Sequence, residues 1–141
     1  MDTKKATIKN VNVAVMVLLT IITSGAYIGY WFISRKKTLN NHFPDNHIPF
    51  RWWVFFTVFL VLFFLNAIAG SIVFTPIELM NIEIADIIFT FYFLGILYYS
   101  LFRIQEQIED FYEEKIFNRW LLFFFHLWYM QYKMNVLQRQ T

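Results

Sequence analysis

Thr23, Gly25, Tyr27 and Trp31 are the residues of this chain whose types and spacing best suit chemistry in an apolar setting. A helix broken among them would free backbone groups and a hydroxyl, the means by which discontinuous helices hold an ion or a headgroup. A plainer role is also open and is preferred here. Gly25 and Gly29 let a neighbour approach closely, and Tyr27 and Trp31 suit the membrane–water interface. Asn66 is polar in the middle of an apolar run, where it either lines a path or hydrogen-bonds an adjacent helix. His126 lies among Phe123, Phe124, Phe125, Leu127 and Trp128, and an ionisable group in such surroundings raises the question of function. In an interfacial segment, however, a neutral imidazole simply reaches water or a carbonyl.

Weaker constellations add little. His42 and His47 flank Asp45, but Pro44 lies between the histidines and no regular spacing aligns them, so solvated loop histidines are expected rather than a metal site. Glu106, Glu109, Asp110, Glu113 and Glu114 could bind a cation or a basic partner and read more simply as a solvated helix face. No nucleophile–base pair, phosphate loop or metal-ligand motif is legible. No catalytic residue, metal or cofactor is expected, and the chain is read as not an enzyme.

The elements that must position these residues are apolar helices. Residues 11–34 would form a helix about 36 Å long if straight, enough to cross a hydrocarbon core of about 30 Å. Thr20, Thr23 and Ser24 can bond back to the backbone, and Gly25 and Gly29 weaken helix, so a bend or re-entry is expected there. Residues 35–51 hold Asn40, Asn41, Pro44, Asp45, Asn46 and Pro49 and read as a loop. The clearest span is 52–74, which carries no charge and opens on Trp52 and Trp53. An acidic link follows, with Glu78, Glu83 and Asp86. Residues 84–102 read as a second span closed by Arg103, and 103–117 as a cytoplasmic amphipathic helix with Ile104, Ile108, Phe111 and Ile116 on one face. Residues 119–135 read as an interfacial or re-entrant helix, too short in apolar content to span. The expected fold class is therefore an all-α integral membrane protein: one membrane domain over residues 1–141, a two-span hairpin with a bent N-terminal helix, an amphipathic helix and a C-terminal interfacial helix.

Composition supports this and excludes other classes. Of 141 residues 58% are hydrophobic and 22% aromatic, against roughly 45–50% apolar in ordinary soluble domains. Cysteine is absent, which rules out a disulfide framework, a thiolate nucleophile and a cysteine metal site. The net charge of +2 includes no basic run suited to nucleic acid. Arg35, Lys36, Lys37 and Arg51 fit lipid headgroups instead. A cleaved signal ending at Ser24-Gly25-Ala26 is set aside, because Tyr27 to Ile33 would remain as an apolar new terminus.

Cytoplasmic loops carry the excess of Lys and Arg. Lys4, Lys5 and Lys9 precede the first segment, Arg35, Lys36 and Lys37 follow it, and the acidic link has no basic residue. Full crossing by 11–34 would place one basic cluster outside. Entry and return would put both clusters and both termini on the cytoplasmic side. Backbone exposed at such a turn costs several kcal/mol per unpaired group unless covered.

Leu18-Leu19-Thr20-Ile21-Ile22 followed by Thr23-x-Gly25-x-Tyr27-x-x-x-Trp31 resembles the "LLxIITxGIYxxYW" signature of a family of small bacterial membrane proteins, catalogued as domain of unknown function four-two-three-four. Leu39-Asn40 fits that family's continuation, and Tyr129-Met130-Gln131-Tyr132-Lys133-Met134-Asn135 is similar to its "YxQxxLN" ending. Ser24 and Ala26 stand where the family often has larger apolar residues. The resemblance implies a multi-pass protein of the bacterial cytoplasmic membrane and transfers no catalytic residue. The expected function is a non-catalytic scaffold, partner-binding or bilayer-shaping component, with a small oligomeric transporter or channel as the alternative and a membrane enzyme as the second. The expected partners are the lipid bilayer and either another copy or another membrane protein.

Overall fold

Thr23, Ser24 and Gly25 divide the first apolar segment into two helices, α1 (Val13–Ile22) and α2 (Ala26–His42). The computed structural model describes residues 10–45 and 47–140, and among these every regular element is helical. Ser24 and Gly25 both take positive φ, 48° and 91°. Glycine adopts that conformation without the steric cost an L side chain meets. α2 does not stop at Arg35 as the loop reading of 35–51 expected. Arg, Lys and Leu are good helix formers, and a buried face of Arg35 and Leu39 carries the helix past Asn40 and Asn41.

α3 (Phe50–Val73) occupies the expected first span. The acidic link is shorter than expected, because Thr75 and Glu78 form a reciprocal capping box with Pro76 in the first turn. The result is α4 (Pro76–Tyr112), which runs without interruption through Arg103. The helices expected at 84–102 and 103–117 are thus one, and it ends at Tyr112, so Ile116 lies beyond it in the turn to the next helix. Arg103 brings a charge into the helix, and nothing in its backbone ends it. α5 (Arg119–Gln140) is kinked at His126, where φ is 39° and ψ is −124°.

α3 and α4 are antiparallel, with Trp53 opposite Ser100, Phe56 against Phe93 and Phe89, and Leu79 beside Gly70. The helices close a ring in which α1 packs on α2, α2 on α3, α3 on α4, α4 on α5 and α5 back on α1. The core inside this ring includes Trp31, Phe32, Trp53, Leu97, Leu101, Ile104 and Met130. Phe32 and Trp53 stack face to face at 3.9 Å between ring centroids. All of this lies toward the Phe50 end of the hairpin. Toward the Thr75 end, α3 and α4 stand alone, and Leu65, Ile68, Ile72, Val73, Ile77, Met80 and Ile84 are exposed. Both α3 and α4 are long and apolar enough to cross a membrane.

Candidate functional site

The first and last helical segments meet in a chain of polar side chains. Trp31 donates its indole N–H to Gln131 Oε1 at 2.8 Å, and Arg35 Nη2 donates to the same oxygen at 3.1 Å. Gln131 Nε2 donates to Asn135 Oδ1 at 2.7 Å, and Asn135 Nδ2 donates to the Val11 carbonyl at 2.7 Å. Indole and guanidinium groups can only donate, so they fix which end of each amide points where. Trp31 is fully buried and Arg35 is 4% exposed, its guanidinium carbon 4.4 Å from the Trp31 ring centroid. Burial lowers the Arg35 pKa to about 10, which leaves it charged at neutral pH. The amide oxygen and the indole face together take the place of water around that charge.

Two expectations change here. Trp31 is no interface anchor, because its N–H has a buried partner on α5. Arg35 is no headgroup contact, because it is enclosed by Trp31 and Gln131, whereas Lys36, Lys37 and Arg51 are exposed. In the sequence Gln131 and Asn135 stand out only as part of a terminal motif. Their spacing of one helical turn was the available signal that they share a face.

The break at residues 23–25 offers little to a ligand. Thr23 Oγ1 donates to the Leu19 carbonyl at 2.8 Å and accepts from Tyr27 N at 3.0 Å, bridging the two helices. Gly25 N reaches Thr20 O at 2.8 Å, Ser24 N reaches Ile21 O at 3.2 Å and Ala26 N reaches Thr23 O at 3.1 Å. The donors that an ion-binding break would free are spent within the turn. Tyr27 is half-buried and packs near Tyr30. Gly29 serves close approach, since a Cβ there would collide with Thr57 Oγ1 on α3.

The remaining candidates are scattered. Asn66 lies well away from this cluster on α3. Its Oδ1 is buried with no hydrogen-bond partner, against Gly70 one turn on, so the expected bond to a neighbouring helix does not form. Gly70 is buried, whereas Ala67 and Ser71 are exposed. His126 is half-buried, near the rings of Tyr98 and Trp128, and burial pushes its pKa below the usual imidazole value. The carbonyl of Phe123, beside the kink, accepts the Tyr98 hydroxyl at 2.9 Å. A ring nitrogen of His42 lies 2.9 Å from Thr38 O, and one of His47 lies 2.6 Å from Asp45 O. Among the described residues no three metal-ligating side chains gather.

The acids of 106–114 are not all a solvated face. Glu109 Oε1 accepts the N–H groups of Ile116 and Phe117 at 3.1 and 2.9 Å, and its Oε2 accepts Gln105 Nε2 at 3.2 Å. One carboxylate thus holds the turn between α4 and α5. Sequence spacing alone gave no sign of that role. Comparison with protein-family models, with curated proteins and with solved structures yields no match.

Proposed function

We propose that this chain is a non-catalytic integral protein of the cytoplasmic membrane that fills the two leaflets unequally and so shapes or scaffolds the bilayer. The observation that carries the reading is the contrast along the hairpin. Five helices surround the Phe50 end, and two bare apolar helices make up the Thr75 end.

In this reading α3 and the middle of α4 cross the bilayer. α4, at 37 residues, is about 55 Å long and overruns a hydrocarbon core of about 30 Å. The α1–α2 pair enters and returns on one side. Val11 and Arg35 support this, because both are tied to Gln131 and Asn135, one helical turn apart. A straight helix between them would hold them about 36 Å apart. Lys36, Lys37 and Arg51 lie at the five-helix end and Glu78 and Glu83 toward the other, so the five-helix end is cytoplasmic by the distribution of basic charge. A protein broad in the cytoplasmic leaflet and narrow in the other favours membranes convex toward the cytoplasm.

The test is reconstitution into giant vesicles from which narrow tubes are pulled, with orientation measured. Chains whose five-helix end faces outward should be denser on the tube than on the flat vesicle. Equal density on both would remove the shaping role.

A further inference from the structure

The elbow between α4 and α5 encloses a second polar region, separate from the Trp31–Gln131–Asn135 chain. It is an open groove of about 770 Å³ lined by Tyr99, Phe102, Arg103, Gln105, Glu106, Glu109, Asp110 and Arg119. Two of its buried polar atoms lack partners and are of opposite kind: Gln105 Oε1, an acceptor, and Arg103 Nε, a donor. Gln105 is 4% exposed, and its Nε2 is committed to Glu109 Oε2. A carboxylate only accepts, so the amide cannot be turned round, and its oxygen is the atom left over. An unpaired acceptor at this depth costs free energy until something donates to it.

The groove also presents one unused charge of each sign. Arg103 is paired with Glu106, and Glu109 is occupied by the turn. Asp110 and Arg119 line the same groove and make no ion pair among the described residues. With three carboxylates and two guanidinium groups, the lining is net negative and does not favour a purely anionic ligand. Tyr99 and Phe102 are exposed and form its apolar side. The groove lies where the apolar run of α4 gives way to charge at Arg103. On the membrane reading above, that is headgroup level.

We infer that this groove binds the headgroup of a phospholipid bearing a primary ammonium, with the phosphate toward Arg103 and Arg119, the ammonium toward Gln105 and Asp110, and the acyl chains along Tyr99 and Phe102. The ammonium supplies the N–H donors that the Gln105 oxygen lacks. A trimethylammonium headgroup has none, and a glycerol headgroup brings no positive charge to Asp110. The inference rests on the membrane reading, and its test separates the two.

The full chain is reconstituted into nanodiscs containing equal parts of ethanolamine, choline and glycerol phospholipids, and lipids retained on release are counted by native mass spectrometry. Retention of the ethanolamine lipid should exceed that of each other lipid about tenfold, the effect of one charge-assisted hydrogen bond. Asp110→Asn and Arg119→Gln change side chains without ion-pair partners and should each erase most of that preference while circular dichroism stays unchanged. Retention in mixture proportion, or an unchanged preference in both variants, overturns the assignment. Displacement of the lipid by millimolar free phosphorylethanolamine would put a soluble ligand in the groove and also overturn it. A chain that never enters the nanodiscs would defeat the membrane reading itself.

Discussion

At the Phe50 end of the hairpin, Trp53 and Phe56 are covered by Phe32, Phe89 and Phe93. At the Thr75 end, Ile72 is 85% exposed, and Ile68 and Val73 are little less so. Both ends are built of large apolar residues on the same two helices, so apolar content does not decide which is covered. Polar side chains do. Trp31, Arg35, Gln131 and Asn135 bind α2, α5 and the start of the chain leading into α1 into one unit, and among the described residues no comparable set reaches the far end. A buried polar chain fixes which helix faces meet, which apolar contact alone does less well.

The comparison is broken most forcefully by exchanging a large side chain for alanine at each end. Trp31→Ala should cost about 3–5 kcal/mol, as truncation of a fully buried aromatic does. Ile72→Ala should stay within about 0.5 kcal/mol. Unfolding in a denaturing-detergent titration followed by far-ultraviolet circular dichroism measures both, and similar costs would show that the two ends are equally packed.

Glycines sharpen the contrast. Gly29→Ala drives a methyl into Thr57 and should cost about 1–3 kcal/mol. Gly95→Ala meets open space and should be neutral or stabilising by up to about 1 kcal/mol, because alanine is the better helix former. The same titration reads both, and equal effects would dissolve the close contact of α2 with α3.

Two amides provide the third comparison. Gln131→Leu strands the Trp31 N–H and removes an acceptor from Arg35, and should cost about 1–3 kcal/mol. Asn66→Ala removes an oxygen that has no partner and should cost at most about 0.5 kcal/mol. A large loss at Asn66 would mean that its oxygen has a donor after all.

The smallest effect is a pH dependence. Burial holds the His126 pKa below its ordinary value, so the unfolded chain takes up the proton more readily. The cost is absent well above the usual imidazole pKa of about 6.5 and grows as the pH falls through it. The melting temperature should therefore drop further between pH 8 and pH 5.5 in the parent than in His126→Asn, which keeps a polar side chain and cannot titrate. Identical drops would exonerate the histidine.

The helical class, two long apolar helices and the weak point at Thr23–Gly25 were legible in the sequence, because hydrophobic runs, glycine and hydroxyl residues act locally. Thr75-Pro76-Ile77-Glu78 is a legible helix-start signal, and it makes the acids of 78–86 part of a helix rather than a link. Charge at Arg103 likewise suggests a boundary of backbone structure, yet α4 runs through it. Trp31 could not be read correctly from its neighbours. Its partner Gln131 lies 100 residues away, and tryptophan suits an interface as well as a hydrogen-bonded core. Glu109 is hidden for a different reason: the N–H groups it holds are close in sequence but lie in a non-helical turn whose path side-chain spacing does not give.

The central claim is that both ends of the first apolar segment share one membrane face and the hairpin tip takes the other. The chain has no cysteine, so Asn10→Cys, Lys37→Cys, Met80→Cys and Arg139→Cys each report alone. A membrane-impermeant thiol reagent added to intact cells should label Met80→Cys and none of the others. Labelling at Asn10 but not at Lys37, or the reverse, would mean that the segment crosses the bilayer and would contradict the account.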